Sequence, residues 1–279
     1  MALFQSPLVG EAIRAAAERL APVSDTGRLD AELLMAHLFG VTRSELLLRH
    51  MRDPEPPGFA ALVERRAGHE PVAYITGRQD FYGLPFIVTP ATLIPRGDSE
   101  TLVEAALELK PDAARVLDLG TGSGALLLAV LASLREARGV GIDRSSEAVA
   151  VAQRNAEQLG LRPQGIFREG DWHASGWAND LGTFDLILCN PPYVEAEAVL
   201  DPQVRDFEPA SALFAGPEGL DDYRVLIPQL RALMNPQAVA ILEIGAQQTR
   251  PVGDLAAAAG FAVAFRRDLA GRPRALILT

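Results

Sequence analysis

The chain has 279 residues, 48% of them hydrophobic and 22% charged, a composition that suits one large domain plus a small one around a sizeable core. A net charge of −10 argues against a protein that lives on nonspecific phosphate contacts. No apolar run reaches the roughly 20 residues that span a bilayer, and residues 1–10 lack the basic start and apolar stretch of a secretory leader. The single cysteine, Cys189, excludes an intramolecular disulfide framework and fits a reducing cytoplasm. The four histidines (His37, His50, His69 and His173) are too scattered to suggest a metal site, and no metal is expected.

Leu8, Ile13, Ala16, Ala17 and Leu20 recur at helical spacing and stop at Pro22. Leu29, Leu33, Leu34, Ala36, His37 and Leu38 repeat that period up to Gly40. Ser44 opens a short third helix, and Pro54, Pro56 and Pro57 separate it from a fourth over 59–66. Residues 1–70 thus read as a small helical domain, either a recognition module or a stabilising extension. Over 71–96 the residues turn β-rich: Tyr74, Ile75, Phe81, Tyr82, Phe86, Ile87 and Val88, broken by Gly77, Gly83 and Pro85. This predicts a β-hairpin linker. Helical periodicity resumes over 98–109 and opens a third region, 97–279.

From Ala114 strands and helices alternate. Arg115 to Leu119 is a buried strand, and the apolar run from Ala125 to Leu134 a helix. Strands follow at 139–143, near Ile166 and Phe167, at 184–189, 238–244, 261–266 and 275–278. Helices fall at 146–159, 220–234 and 247–259. Such alternation predicts an α/β fold, a doubly wound and mainly parallel sheet with helices on both faces.

Asp118-Leu119-Gly120-Thr121-Gly122-Ser123-Gly124 lies at a strand-to-helix junction. Glycines there let backbone approach a ligand, and the new helix offers unpaired N–H groups. Asp143 ends the next strand, where a carboxylate can accept both ribose hydroxyls of a nucleoside. The stretch points to a nucleoside cofactor without saying which, because Gly120, Gly122 and Ala125 also satisfy a loose dinucleotide pattern. Asp118 favours S-adenosylmethionine, since a carboxylate there can face the cationic methionine end. After the third strand, the Trp172 indole can pack against adenine while Asp171 accepts from the exocyclic amine.

Asn190-Pro191-Pro192-Tyr193 follows the apolar strand 184–189 and carries the chemistry. An amide or arylamine nitrogen is a poor nucleophile because its lone pair is delocalised. The Asn190 side-chain oxygen and the Pro191 carbonyl can each take one N–H of a planar NH₂ and aim the remaining lobe at a methyl donor. The prolines Pro191 and Pro192 set that geometry before substrate arrives, and Tyr193 offers a wall for the planar group. Spacing gives no mechanism for Phe207-Glu208-Pro209 or Glu243-Ile244-Gly245.

Over nearly its whole length the sequence resembles the release-factor N5-glutamine methyltransferase family. The resemblance is carried by residues 71–77 (PVAYITG), 93–96 (LIPR), 118–124, Asp143, Asp171-Trp172, 190–193, 207–209 and 268–271 (DLAG). It implies a seven-stranded, Rossmann-like class I fold and S-adenosylmethionine as cofactor, held by Gly120, Thr121, Gly122, Ser123, Gly124, Asp143, Trp172 and Asn190. It further implies that Asn190 to Tyr193 hold the glutamine of the Gly-Gly-Gln loop of class 1 release factors, while the N-terminal helices bind the factor's body. A monomeric, cytoplasmic enzyme is the expectation, with no membrane and no stable nucleic-acid binding. The family's Pro-Arg-Pro-Asp-Thr-Glu run reads Pro95-Arg96-Gly97-Asp98-Ser99-Glu100 here, which keeps the hydroxyl and charges and loses one proline's stiffness. Adenine-N6 methylation of DNA or RNA and glutamine methylation of ribosomal protein L3 share the catalytic loop and stand as alternatives. A nucleotide-sensing protein without turnover is the rival from another class.

Overall fold

The computed structural model describes residues 7–279, which form two compact units. The first runs up to Gly77 and takes in Asp201–Phe207, and the second holds Arg78–Leu200 and Glu208–Thr279.

The first unit is helical: α1 (Val9–Leu20), α2 (Gly27–Phe39), α3 (Arg43–Glu45) running into a π-helical turn at Leu46–His50, α4 (Phe59–Ala67) and α5 (Val72–Thr76). Val9, Ile13, Ala16 and Leu20 on α1 pack with Leu34 and Met35 of α2 and with Phe59 and Val63 of α4. Leu29 and Leu33, read as part of the apolar stripe, are 39% and 36% exposed. The inner face of α2 instead buries two carboxylates, one paired with a single cation and the other with two. Asp30 accepts from Arg66 Nε at 2.7 Å, and Glu32 from Arg28 at 2.9 Å and Arg43 at 2.7 Å. Buried charge persists only when paired in this way. Tyr74 and Ile75, read as β-forming, lie in helix α5. Ile75 joins the helical core, and this burial outweighs its β preference.

The hairpin of the second unit is β1 (Arg78–Phe81) and β2 (Leu84–Ile87), antiparallel across Tyr82-Gly83, both at positive φ (50° and 72°). A 3₁₀ turn at Gly97–Ser99 leads into α6 (Glu100–Leu109), β3 (Arg115–Leu119), α7 (Ala125–Ser133), β4 (Arg138–Asp143), α8 (Ser146–Gln158), β5 (Gly165–Glu169) and β6 (Phe184–Cys189). The short α9 (Pro202–Arg205) belongs to the first unit. Then come α10 (Asp221–Leu233), β7 (Met234–Glu243), α11 (Thr249–Ala258), β8 (Val263–Arg267) and β9 (Pro273–Leu278).

Seven strands form one sheet in the order β5-β4-β3-β6-β7-β9-β8. All pairings are parallel except those of β9, which runs antiparallel to both β7 and β8. Helices α6, α7 and α8 build one core on the sheet, and α10 and α11 build the other. Helix α7 is apolar all round, with Ala125 through Leu131 buried, as a helix sunk between sheet and neighbours must be. The chain winds outward from β3 to β4 and β5, then returns to β6 on the other side of β3. Open α/β sheets bind ligands at such a reversal, outside the carboxyl ends of the strands. Leu119 of β3 pairs with Cys189 of β6, so the loops that follow these residues leave the sheet level with one another.

No helix of the described residues is long and apolar enough to cross a membrane. Among the described residues, no group of three or more His, Cys, Asp or Glu side chains could hold a metal ion.

Candidate active site

The glycine loop after β3 turns because Gly120, Gly122 and Gly124 all take left-handed backbone, with φ of 71°, 54° and 82°. Gly120 also lacks room: a Cβ there would stand 3.3 Å from Trp172 Cη2 and 3.6 Å from the Asn190 carbonyl oxygen. The glycine loop, the indole and the start of the loop after β6 therefore meet at one point, brought from three strand ends. Asp143 closes the glycine loop from β4. Its Oδ2 accepts from Gly122 N at 2.8 Å and its Oδ1 from Ser145 N at 2.9 Å, while burial pushes its carboxyl up against those bonds.

A pocket opens here, walled by Gly120, Thr121, Gly122 and Ser123, by Asp143, Trp172, Asn190 and Pro192, and by Ser99. Gly124, Asp171, Pro191 and Tyr193 are not on its wall. Asp118 is not either. It is 1% exposed behind Thr121, whose hydroxyl donates to Oδ2 at 2.6 Å, while Oδ1 has no partner among the described residues. Burial drives the Asp118 carboxyl up to about 7, against the pull of that bond. Asp171 caps the next turn, accepting from His173 N at 2.9 Å. Trp172 Nε1 donates to Asp222 Oδ1 at 3.0 Å, which fixes the ring's plane beside the glycine loop.

The Asn190 to Tyr193 turn is anchored at its far end. Gln248 Nε2 donates to the Tyr193 carbonyl at 3.0 Å and to that of Gly219 at 3.1 Å. Gly219 must be glycine, since a Cβ there would lie 2.3 Å from the Tyr193 oxygen. Val194 N donates to Leu213 O at 2.8 Å and continues the clamp. No side-chain hydrogen bond holds Asn190 among the described residues, so its amide stays free for a ligand.

Several wall residues get no role from spacing, though 93–96 and 207–209 help carry the resemblance. Thr92, Leu93 and Pro95 line the pocket, as do Pro209, Ser211 and Ala212 from the other side. Glu208, silent by spacing, is the brace between these two segments. It is 5% exposed, pairs with Arg96, and accepts from Ile94 N at 3.3 Å. Asn155 of α8, fully buried, holds both backbone groups of Ile87 at 2.7 and 2.9 Å and the Ser123 carbonyl at 2.8 Å. It ties hairpin to glycine loop. No local pattern could have flagged it, because its partners lie 68 and 32 positions away.

The sheet order, the crevice at its reversal and a methyltransferase-domain match define the class: an S-adenosylmethionine-dependent α/β methyltransferase. Residues 110–233 match a methyltransferase domain family, and residues 11–77 match the PrmC N-terminal domain. A release factor glutamine methyltransferase of Cereibacter sphaeroides is 43% identical over 95% of this chain and 95% of its own. One from Moorella thermoacetica is 41% identical over 96% of each, and one from Rhodospirillum rubrum 42% identical over 90% of this chain and 78% of its own. The chain belongs to the release factor glutamine methyltransferase family. Among solved structures, the catalytic domain of hMettl16, determined with a MAT2A 3′UTR hairpin, superposes with a TM-score of 0.56 at 16% identity, covering 80% of this chain and 92% of that one. That likeness is one of fold.

Proposed function

We propose that this protein methylates the side-chain amide nitrogen (N5) of the glutamine in the Gly-Gly-Gln motif of class 1 release factors. The observation that carries the reading is one pocket whose wall brings together the glycine loop, Asp143, Trp172, Asn190, Pro192 and Ser99. When bound, S-adenosylmethionine supplies an electrophilic sulfonium methyl. The residues present suit such a group. Gly120 and Gly122 leave open backbone, the Asp143 carboxylate faces the pocket for the ribose, and the Trp172 ring stands beside it for adenine. Asp118 lies behind the wall and acts on the pocket through Thr121, whose hydroxyl it holds.

Asn190 and the Pro191 carbonyl hold the amide by its two protons. Two acceptors in the amide plane draw electron density onto nitrogen and fix its direction of attack, so the barrier falls through orientation and fixed dipoles rather than a strong base. The extra proton leaves after nitrogen has gained its methyl. Residues 1–70 would recognise the factor's body, residues 71–96 would serve as linker, and residues 97–279 would carry the chemistry. The enzyme would act in the cytoplasm as a monomer, without stable nucleic-acid binding.

The test is incubation with radiolabelled S-adenosylmethionine and an intact release factor, then mass spectrometry of the modified residue. A single methyl on the Gly-Gly-Gln glutamine is expected, and label on nucleic acid instead would overturn the reading. An isolated Gly-Gly-Gln peptide should show a much lower kcat/KM than the intact factor. Equal values would remove the recognition role of residues 1–70.

A further inference from the structure

The run 268–271 helps carry the resemblance, yet the mechanism above gives it no role. It forms the loop between β8 and β9, and strand register fixes where that loop stands. Cys189 of β6 pairs with Leu242 of β7, and Glu243, the next residue, pairs with Ala275 of β9. The loop therefore leaves the same end of the sheet as the Asn190 to Tyr193 turn, two strands away. Buried side chains join the two. Tyr193 donates its hydroxyl to Glu243 Oε1 at 3.1 Å, Arg274 Nη1 stands 4.0 Å from that oxygen, and Arg274 Nη2 stands 3.6 Å from Asp268 Oδ2.

The loop is closed on itself by hydrogen bonds. Asp268 N donates to Arg272 O at 2.9 Å and Gly271 N to Asp268 O at 2.9 Å, while the buried Asp268 carboxylate accepts from Arg272 N at 2.9 Å. Gly271 turns the corner at a φ of 78°. On this turn Leu269 is 105% exposed. Single exposed apolar side chains are ordinary, but two observations set this one apart. Leu269 and Val199 (99%) are the most exposed large apolar side chains among the described residues, and Val199 follows the catalytic turn at the same end of the sheet. A fixed turn also has little freedom left to lose on contact, which is the property of a binding anchor. Arg267 and Arg272, both exposed, flank the leucine. Arg267 donates to a carbonyl, Gly271 O at 2.7 Å, which leaves its charge free to meet an anion.

We propose that the 268–272 loop is a docking finger for the protein that carries the target glutamine: Leu269 seats in an apolar dent of the release factor whose rim bears carboxylates for Arg267 and Arg272. The inference rests on the function proposed above and names a contact that lies outside the pocket. A glutamine reaches the Asn190 to Tyr193 turn only if the chain on either side of it lies across that end of the sheet. The surface around the motif therefore meets the loops there. The buried series Tyr193, Glu243, Arg274 and Asp268 keeps finger and turn in fixed register, so one rigid partner surface can engage both.

The experiment is steady-state methylation of an intact class 1 release factor and of a short Gly-Gly-Gln peptide by full-length wild type, Leu269→Ser and Arg272→Glu, with S-adenosylhomocysteine affinity measured alongside. For Leu269→Ser, KM for the intact factor is expected to rise about tenfold, the scale of one lost anchor. Its kcat at saturating factor should stay within about twofold, as when binding common to ground and transition states is removed. Arg272→Glu should raise the same KM, and its defect should shrink as added salt screens the exposed charge. Peptide kcat/KM and S-adenosylhomocysteine affinity should hold in both variants, because neither residue is on the pocket wall. An unchanged KM for the intact factor in Leu269→Ser overturns the inference. So does an equal loss on the peptide, or a matching loss of S-adenosylhomocysteine affinity, either of which would mark a disturbed pocket. A wild type that leaves the factor's glutamine unmethylated overturns the proposed function as well, whereas an active wild type with unimpaired variants overturns the inference alone.

Discussion

The two ends of the pocket are built by opposite means. The cofactor end is mostly backbone: three left-handed glycines within five residues, closed by a carboxylate that bonds to two main-chain N–H groups. The substrate end is mostly side chains gathered from afar, with Ser99 and Glu243 separated by 144 positions and Arg96 and Glu208 by 112. Backbone grips what many ligands share, a ribose or a chain of polar atoms. The comparison predicts different kinds of damage. Defects at the cofactor end should be overcome by more cofactor, and defects at the substrate end should not.

The largest effect is expected at the substrate end. Asn190→Ala removes the acceptor proposed to hold the reacting nitrogen and should lower kcat by about 100- to 1,000-fold, the range for loss of one preorganised dipole. Cofactor affinity, read by calorimetry with S-adenosylhomocysteine, should fall only modestly. Near-normal turnover would sink the assigned mechanism.

A smaller effect of the other kind is expected for Gly120→Ala. Left-handed backbone costs a non-glycine residue about 1–2 kcal/mol, and the new Cβ would crowd Trp172 at 3.3 Å. Affinity for S-adenosylhomocysteine should drop about tenfold, equivalent to about 1.4 kcal/mol, while kcat at saturating cofactor stays within a few-fold. A kcat loss that saturating cofactor fails to rescue would erase the contrast between the two ends.

The smallest effect concerns stability. Burial raises the Asp118 carboxyl to about 7, above its unfolded value of 3.8, so the folded chain holds this proton more tightly than the unfolded chain does. Its contribution is therefore favourable at low pH and is lost as pH rises from about 4 to about 7. Cofactor-free Asp118→Asn should be more stable than wild type at pH 8, by on the order of 2 kcal/mol, with the gap closing toward pH 4. Urea denaturation of both proteins at the two pH values measures it, and a gap independent of pH would contradict a carboxyl raised by burial.

Much of the molecule was legible because its signals are local. The helical periods before residue 70, the apolar strands at 115–119 and 184–189 and the fully apolar helix α7 each advertise their burial within a few residues. The errors were local too. Tyr74 and Ile75 have β-forming side chains, yet a five-residue helix claims them because packing against the other helices gains more than propensity costs. The two carboxylates that displace Leu29 and Leu33 from the inner face of α2 were hidden, since Arg66 and Arg43 lie 36 and 11 positions from them and only Arg28 is local.

The sequence by itself determined the alternating α/β architecture, the glycine loop with its acidic partner, and the Asn190 to Tyr193 turn that follows β6. Each is a short run whose meaning lies in its own spacing. Only the tertiary structure decided that Asp118, Asp171 and Tyr193 stand behind the wall rather than on it, and that Glu208 and Glu243, to which spacing gave no mechanism, hold Arg96 and Ser99 beside the pocket. The physical reason is reach: a strand end fixes where a loop begins, but the sense of a hydroxyl or the pairing of a buried carboxylate depends on residues that meet only when the sheet has closed.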